Sequence, residues 1–177
     1  MSSAFRYCPL CAQPLIQREQ GGFVRHVCPD DGCGFVHWDN PTPVVAAVVE
    51  HEGEIVLARN KLWTQRFFGL ITGFLERNED PAEAVLREVE EELGLKARSP
   101  AFIGHYTFER MNQLIVAYHV VAEGPIVLGE ELAEYVRVAP EETRYWPAAT
   151  GLALRDWLVS RGHQPQVIDL SPRSKGA

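Results

Sequence analysis

The stretch from Gly73 to Leu95 constrains this chain more than any other, because it sets a well-punctuated helix among seven glutamates and two arginines. It reads Gly73-Phe-Leu-Glu-Arg-Asn-Glu79, then seven residues, then Arg87-Glu-Val-Glu-Glu-Glu-Leu-Gly-Leu95. Asp80 is a good N-cap, and Pro81 suits the first helical position, where its missing N–H costs nothing. Glu83 fits the second half of a capping box, and Gly94 fits the left-handed residue that closes a helix. A helix from Pro81 to Leu93 is predicted.

Helical periodicity puts Ala82, Val85, Leu86, Val89 and Leu93 on one apolar stripe, which must face a core. Glu83, Arg87 and Glu90 fall away from it, while Glu88, Glu91 and Glu92 gather along one border. Carboxylates side by side repel one another, and a half-buried position makes their charge harder to bear. A divalent cation resolves the conflict, and hard oxygen ligands suit magnesium or manganese. The competing reading is a solvated acidic helix braced by Glu83–Arg87 and Arg87–Glu91 pairs.

The stretch resembles the Nudix box, G-x5-E-x7-R-E-U-x-E-E-x-G-U with U a bulky aliphatic, at all nine specified positions within residues 73–95. On that motif the chain is identified as a member of the Nudix hydrolase family. The resemblance favours the cation reading and implies an α/β sandwich, a mixed sheet between helices. It further implies that Glu88, Glu91 and Glu92 hold one to three Mg2+ or Mn2+ ions. The backbone carbonyl of Gly73 would complete a metal site, Glu79 would help order it, and Arg87 would orient a carboxylate through a charge-assisted hydrogen bond.

Cys8-Pro-Leu-Cys11 and Cys28-Pro-Asp-Asp-Gly-Cys33 use every cysteine in the chain. Two short-spaced pairs are what a tetrahedral zinc site needs, with a hairpin bringing them together. Gly21-Gly22 suits the turn of that hairpin, and Phe23 to Val27 its returning strand. Residues 1–38 are too few to build a core unaided, so a structural zinc ribbon there is expected to draw its folding free energy from the metal. His26 and His37 lie nearby as substitute ligands, but four cysteines already fill the shell. Two disulfides are the competing reading. No secretory signal is visible at the N-terminus, and a cytoplasmic location, where thiols stay reduced, is expected instead.

Residues 39–177 are then expected to form the Nudix domain. Trp38 to Pro43 looks like the connector, since its prolines disfavour helix and sheet interior. Strands are predicted at Val44–Val49, Glu54–Arg59, Gln113–Val121 and Tyr135–Val138, and a late helix at Leu152–Arg161 with Leu154, Trp157 and Leu158 inward. The tail from His163 reads as irregular, with Val167-Ile168 able to dock.

No apolar stretch approaches the length needed to span a bilayer. A net charge of −7 argues against nucleic acid backbone as the main partner. The ribbon, with Arg6, Arg18 and Arg25 against Glu19, Asp30 and Asp31, offers no basic stripe. Its expected role is to brace the enzyme, help it form a homodimer, or frame the substrate cleft. No Gly-x-Ser-x-Gly elbow, Gly-x4-Gly-Lys loop or His-Glu-x-x-His motif supports a rival chemistry.

A zinc ribbon ahead of a Nudix domain is similar to the layout of NADH pyrophosphatases. Glu131-Leu-Ala-Glu134 matches their Glu-Leu-x-Glu segment, which implies that Glu131 reaches back to the metals and stands beside Glu88 as a candidate general base. Their downstream motif, Ser-Gln-Pro-Trp-Pro-Phe-Pro-x-Ser, is missing; the region reads Ser99-Pro-Ala-Phe-Ile-Gly-His-Tyr-Thr-Phe-Glu109. The resemblance therefore implies hydrolysis of a diphosphate linkage between a nucleoside and a second moiety, as in NADH, FAD, ADP-ribose or a nucleotide sugar, without singling out NADH. Trp63, Phe67, Phe68, Tyr106 and Phe108 are candidates to stack on a base, and Arg59, Arg66 and Arg110 to meet phosphate. Two other functions remain open: removal of a dinucleotide cap from RNA, and a non-catalytic module that senses nucleotides or binds nucleic acid.

Overall fold

A computed structural model describes residues 5–168; the ends of both expected domains, residues 1–4 and 169–177, lie outside the described residues. The chain divides into two compact units, one running to Pro41 together with Arg110–Asn112, the other holding the remainder.

The first unit contains a hairpin of β1 (Ile16–Gln20) and β2 (Phe23–Val27), with β3 (Val36–His37) pairing antiparallel to β2. Gly21 and Gly22, at φ 60° and 81°, make the two-residue turn, the backbone twist that matches paired strands. Every residue of β1 is exposed, and among the described residues of this unit only Cys8, Val27 and Cys28 are buried. Such a unit has almost no apolar core to hold it.

The second unit is a mixed sheet between two helices, as the box implied. Its strands are β4 (Thr42–His51), β5 (Glu54–Asn60), β6 (Ile71–Phe74), β7 (Lys96–Phe108), β8 (Gln113–Glu123) and β9 (Leu132–Val138), and its helices α1 (Pro81–Leu93) and α2 (Thr150–Ser160). The order is β7-β8-β4-β5-β9, with β6 also paired to β4. Only β4 and β8 run parallel, over ten paired residues; the rest are antiparallel. β4 is covered on both faces, which is why it reads as an unbroken apolar run. Val45, Ala47 and Val49 join Ala84, Val85, Val89 and Leu93 of α1 in one core. Val44, Ala46 and Val48 join Ala153, Leu154, Trp157 and Leu158 of α2 in the other.

Several expectations need correction. Pro43 lies inside β4, near its start, rather than in a connector. Its carbonyl still accepts from Leu75, so only a donor is missing. β6 was not predicted because it spans only four residues and contains Gly73. β7 was not predicted because it carries Pro100, Ser99 at φ 56° and two register shifts, a bulged edge strand that hides its period-2 pattern. On α1, Ala84 is fully buried, although the predicted stripe left it out, and Leu86 is only half-buried. The tail does dock: Val167 bridges to Tyr145, and Ile168 packs on the α2 core. Among the described residues no helix is long and apolar enough to cross a membrane.

Candidate active site

Local chemistry sets α1. Asp80 accepts from the Ala82 N–H at 2.8 Å, Pro81 opens the helix, and Gly94 closes it at φ 66° with its N–H on the Glu90 carbonyl. Glu83 does not complete a capping box among the described hydrogen bonds. The last carbonyls are capped from far along the chain. The Glu92 carbonyl accepts from Gly129 at 2.9 Å, and the Leu93 carbonyl from Val127 at 2.8 Å. A Cβ on Gly129 would lie 2.5 Å from the Glu91 carbonyl, so glycine alone lets this segment approach so closely. The approach carries Glu131 to the last turn of α1.

Glu88 is the buried acid of the set, at 9% exposure. Its carboxylate occupies the space where a side chain on residue 73 would begin. Gly73 is a residue of β6 opposite Val45, and the group its missing side chain admits is the Glu88 carboxylate. Burial raises the Glu88 pKa even though Arg87 opposes the shift.

Arg87 does not point away from the core as the periodicity suggested. It folds across the carboxylates, with Nε on Glu79 Oε1 at 2.7 Å, Nη2 on Glu79 Oε2 at 3.0 Å, and Nη1 on Glu88 at 2.6 Å and Glu91 at 3.0 Å. Nη2 also donates to the Phe74 carbonyl at 3.2 Å. Of the two helix pairs foreseen, Arg87–Glu91 forms and Glu83–Arg87 does not. Glu79 accepts further from the Glu76 N–H at 3.0 Å. The Arg87 guanidinium, then that N–H, hold the Glu79 carboxyl down to about 2.

Glu92 has none of this. Among the described residues its carboxylate has no hydrogen-bond or ion-pair partner. Burial first, then the charges of Glu88, Glu131 and Glu91, push it up to about 8. Arg87 is engaged by Glu79, Glu88 and Glu91 and has no described bond to Glu92. Glu131 itself is exposed, and one oxygen accepts from Asn60 Nδ2 at 3.4 Å.

The cysteines form a different kind of set. Their four sulfurs all lie within 4.8 Å of one another, with Cys8–Cys33 at 3.5 Å and Cys11–Cys28 at 3.4 Å. Among the described residues this is the only group of three or more His, Cys, Asp or Glu that is so tightly drawn together. The acids of α1 stand further apart, as an open set. All four cysteines are free, and a tetrahedral shell of soft ligands suits zinc. His26 and His37 pair with each other across β2 and β3, outside the cluster.

Most of the candidate aromatics belong to the core. Phe67 meets Trp146 edge-on at 5.0 Å, and Phe67, Phe68, Tyr106 and Phe108 all pack against the α2 core. Tyr106 donates to Asp156 at 2.8 Å. Trp63, 39% exposed and 5.5 Å from Phe67, is the one aromatic of the five with an open face. Arg59 and Arg66 both bond Glu134, at 2.7 and 3.1 Å, through one nitrogen each. Asn60 and the caps from Val127 and Gly129 had no signal in the sequence, because their partners lie tens of residues away.

A family model described as the NUDIX domain matches residues 40–158. The chain is 29% identical over 136 residues to the NAD-capped RNA hydrolase NudC of Stutzerimonas stutzeri, covering 76% of this chain and 48% of that protein. The protein of the same name from Mycobacterium tuberculosis is 32% identical over 120 residues, covering 65% of this chain and 36% of its own length. The chain thus spans half or less of the length of these curated relatives. Among solved structures, a NUDIX hydrolase from Nitrosomonas europaea aligns with a TM-score of 0.75 at 21% identity, over 93% of this chain and 97% of that one. That likeness speaks for the fold alone.

Proposed function

This chain belongs to the NUDIX domain family, and from that premise we propose that it is a divalent-metal-dependent pyrophosphohydrolase. Its proposed substrates are nucleoside diphosphates linked to a second moiety, such as dinucleotides, ADP-ribose or nucleotide sugars. One observation carries the reading: the Glu92 carboxylate is largely buried beside the charges of Glu88, Glu91 and Glu131, and no side chain among the described residues offsets it. A set of hard oxygen donors with uncompensated charge fits Mg2+ or Mn2+.

Glu88, Glu91 and Glu92 are the proposed ligands, with Glu131 and the Gly73 carbonyl as further donors. Bound there, the cation supplies charge neutralisation at the phosphate oxygens and acidifies water. The protein's share is positioning. Gly73 leaves room for Glu88, Arg87 holds it by one oxygen, and Glu79 fixes Arg87. Of the two candidate bases, Glu131 suits proton transfer better, because Glu88 is buried and bonded to Arg87 while Glu131 is exposed with a single long hydrogen bond. Trp63, with Phe67 beside it at 5.5 Å, is the proposed stacking surface for a base, and Phe68, packed on the α2 core, is a further candidate.

The four cysteines are proposed to bind structural zinc in a ribbon domain of residues 1–38, ahead of a Nudix domain at 39–177. Dimerisation through the ribbon and a cytoplasmic setting belong to the same proposal. The name carried by the relatives favours a second reading, hydrolysis of the dinucleotide cap on RNA. A purely nucleotide-sensing role is disfavoured because every acid of the box is present.

A panel of NADH, FAD, ADP-ribose, nucleotide sugars and dNTPs, assayed with Mg2+ and with Mn2+ and read by product mass, tests the reaction class. Comparing free and RNA-linked dinucleotide over a salt series separates the two substrate readings, since RNA contacts weaken steeply with salt. Glu92→Gln is expected to lower kcat by about 1000-fold, a loss of transition-state stabilisation of roughly 4 kcal/mol, with the thermal midpoint retained. A near-normal rate would reject the assignment.

A further inference from the structure

We infer that Asn60 is a positioning residue that turns the Glu131 carboxylate toward Glu92. The inference rests on the proposed role of Glu131.

It starts from the register of β5 and β9. Arg59 pairs with Glu134, but Asn60 pairs with Leu132, leaving Ala133 as an extra residue in β9. A bulge of this kind bends a strand and re-aims what precedes it. Here it brings the Glu131 carbonyl onto the Lys61 N–H at 2.8 Å and the Glu130 carbonyl onto Lys61 Nζ at 2.5 Å. From the other side, Gly129 N–H holds the Glu92 carbonyl at 2.9 Å. The segment 129–131 is therefore bonded both to α1 and to the end of β5. That fixes the backbone of Glu131, but not its side chain.

Asn60 supplies the remaining constraint. Its Oδ1 accepts from the Leu62 N–H at 2.9 Å, which settles which way the amide faces. Only Nδ2 is left for Glu131 Oε2, at 3.4 Å. Without that donor, no described hydrogen bond holds the exposed Glu131 side chain, and it is free to turn into water. The choice of a neutral donor matters. A lysine or arginine would pair with Glu131 and lower its basicity, as Arg87 does for Glu79, whereas an amide gives direction and leaves the charge available.

The alternative is that Asn60 merely shapes the turn into residues 61–63. Asn60→Asp separates the two, because it keeps an oxygen for the Leu62 N–H and removes the donor to Glu131. Asn60→Ser repeats the test without added charge. Both variants are expected to keep the wild-type thermal midpoint and substrate KM while kcat falls by up to about 100-fold, the scale of a mispositioned catalytic group. In metal-free protein, NMR couplings of labelled Glu131 are expected to change from one rotamer to an average. In a Glu131→Gln background, neither variant should lower kcat further, since groups acting in series are not additive. Wild-type kcat with an ordered Glu131, or an equal loss in the Glu131→Gln background, would overturn the inference. A wild-type rate for Glu92→Gln would instead overturn the reading of the site, and would leave the NMR result standing.

Discussion

In the N-terminal unit four thiol sulfurs crowd within 4.8 Å of one another, whereas in the larger unit the acids of α1 stand apart and Glu92 has no partner among the described residues. The surroundings differ as sharply. The first unit buries only Cys8, Val27 and Cys28 among its described residues, so its shape depends on what holds the sulfurs. The second has two apolar cores, one on each face of β4, and is expected to keep its fold when its glutamates are substituted. Where a core exists, charge can be left uncompensated for use. Where none exists, the polar cluster is the structure. Substitutions in the two sets should therefore fail in opposite ways.

The largest effect is expected from Cys28→Ser. Structural zinc contributes on the order of 10 kcal/mol in small domains, far more than three buried residues supply. Amide NMR signals from residues 5–41 should collapse to unfolded positions while those of the sheet unit persist. Retained dispersion in the N-terminal signals would break the comparison.

Gly73→Ala should do the reverse. Strand backbone accepts alanine, and the collision is with the far end of the Glu88 side chain, so stability should change by about 1 kcal/mol or less. Displacing Glu88 moves the central acid of the set, and activity should fall by about 100-fold. A crystal structure with Glu88 in place, or unchanged kcat, would count against its cradle.

The smallest effect is a pH dependence of the metal-free sheet unit. Glu92, pushed up to about 8 from an ordinary 4.5, keeps a proton in the native state that the unfolded chain releases, so stability falls as pH rises through that window. Glu79, held down to about 2, contributes stability above 4.5 that is lost as pH falls toward 2. The midpoint from calorimetry should therefore decline on both sides of about pH 5, and millimolar Mg2+ should lift the alkaline side. A metal-free midpoint that rises from pH 5 to 8 would show that Glu92 is not isolated.

How much was legible in the sequence varied with the range of the interaction. The limits of α1 were legible because Asp80, Pro81 and Gly94 act on neighbouring backbone. The cysteine pairs were legible because their spacing matches one coordination geometry. β6 and β7 were not, since a four-residue strand containing glycine and a bulged edge strand carry little periodicity. The reach of Arg87 across three acids also ran against its position on the helical wheel, because a long guanidinium follows charge rather than the backbone angle.

The linear order of residues determined which acids, which thiols and which helix this protein has, since caps, knuckles and motif spacing act over a few residues. Folding decided what each acid became. Gly73 makes room for Glu88 only when β6 lies beneath α1, and Glu131 meets Glu92 only when a distant loop caps the helix. Burial and partnership are properties of assembled surfaces, and they separate the Glu79 carboxyl, held down to about 2, from the Glu92 carboxyl, pushed up to about 8, at opposite ends of one helix.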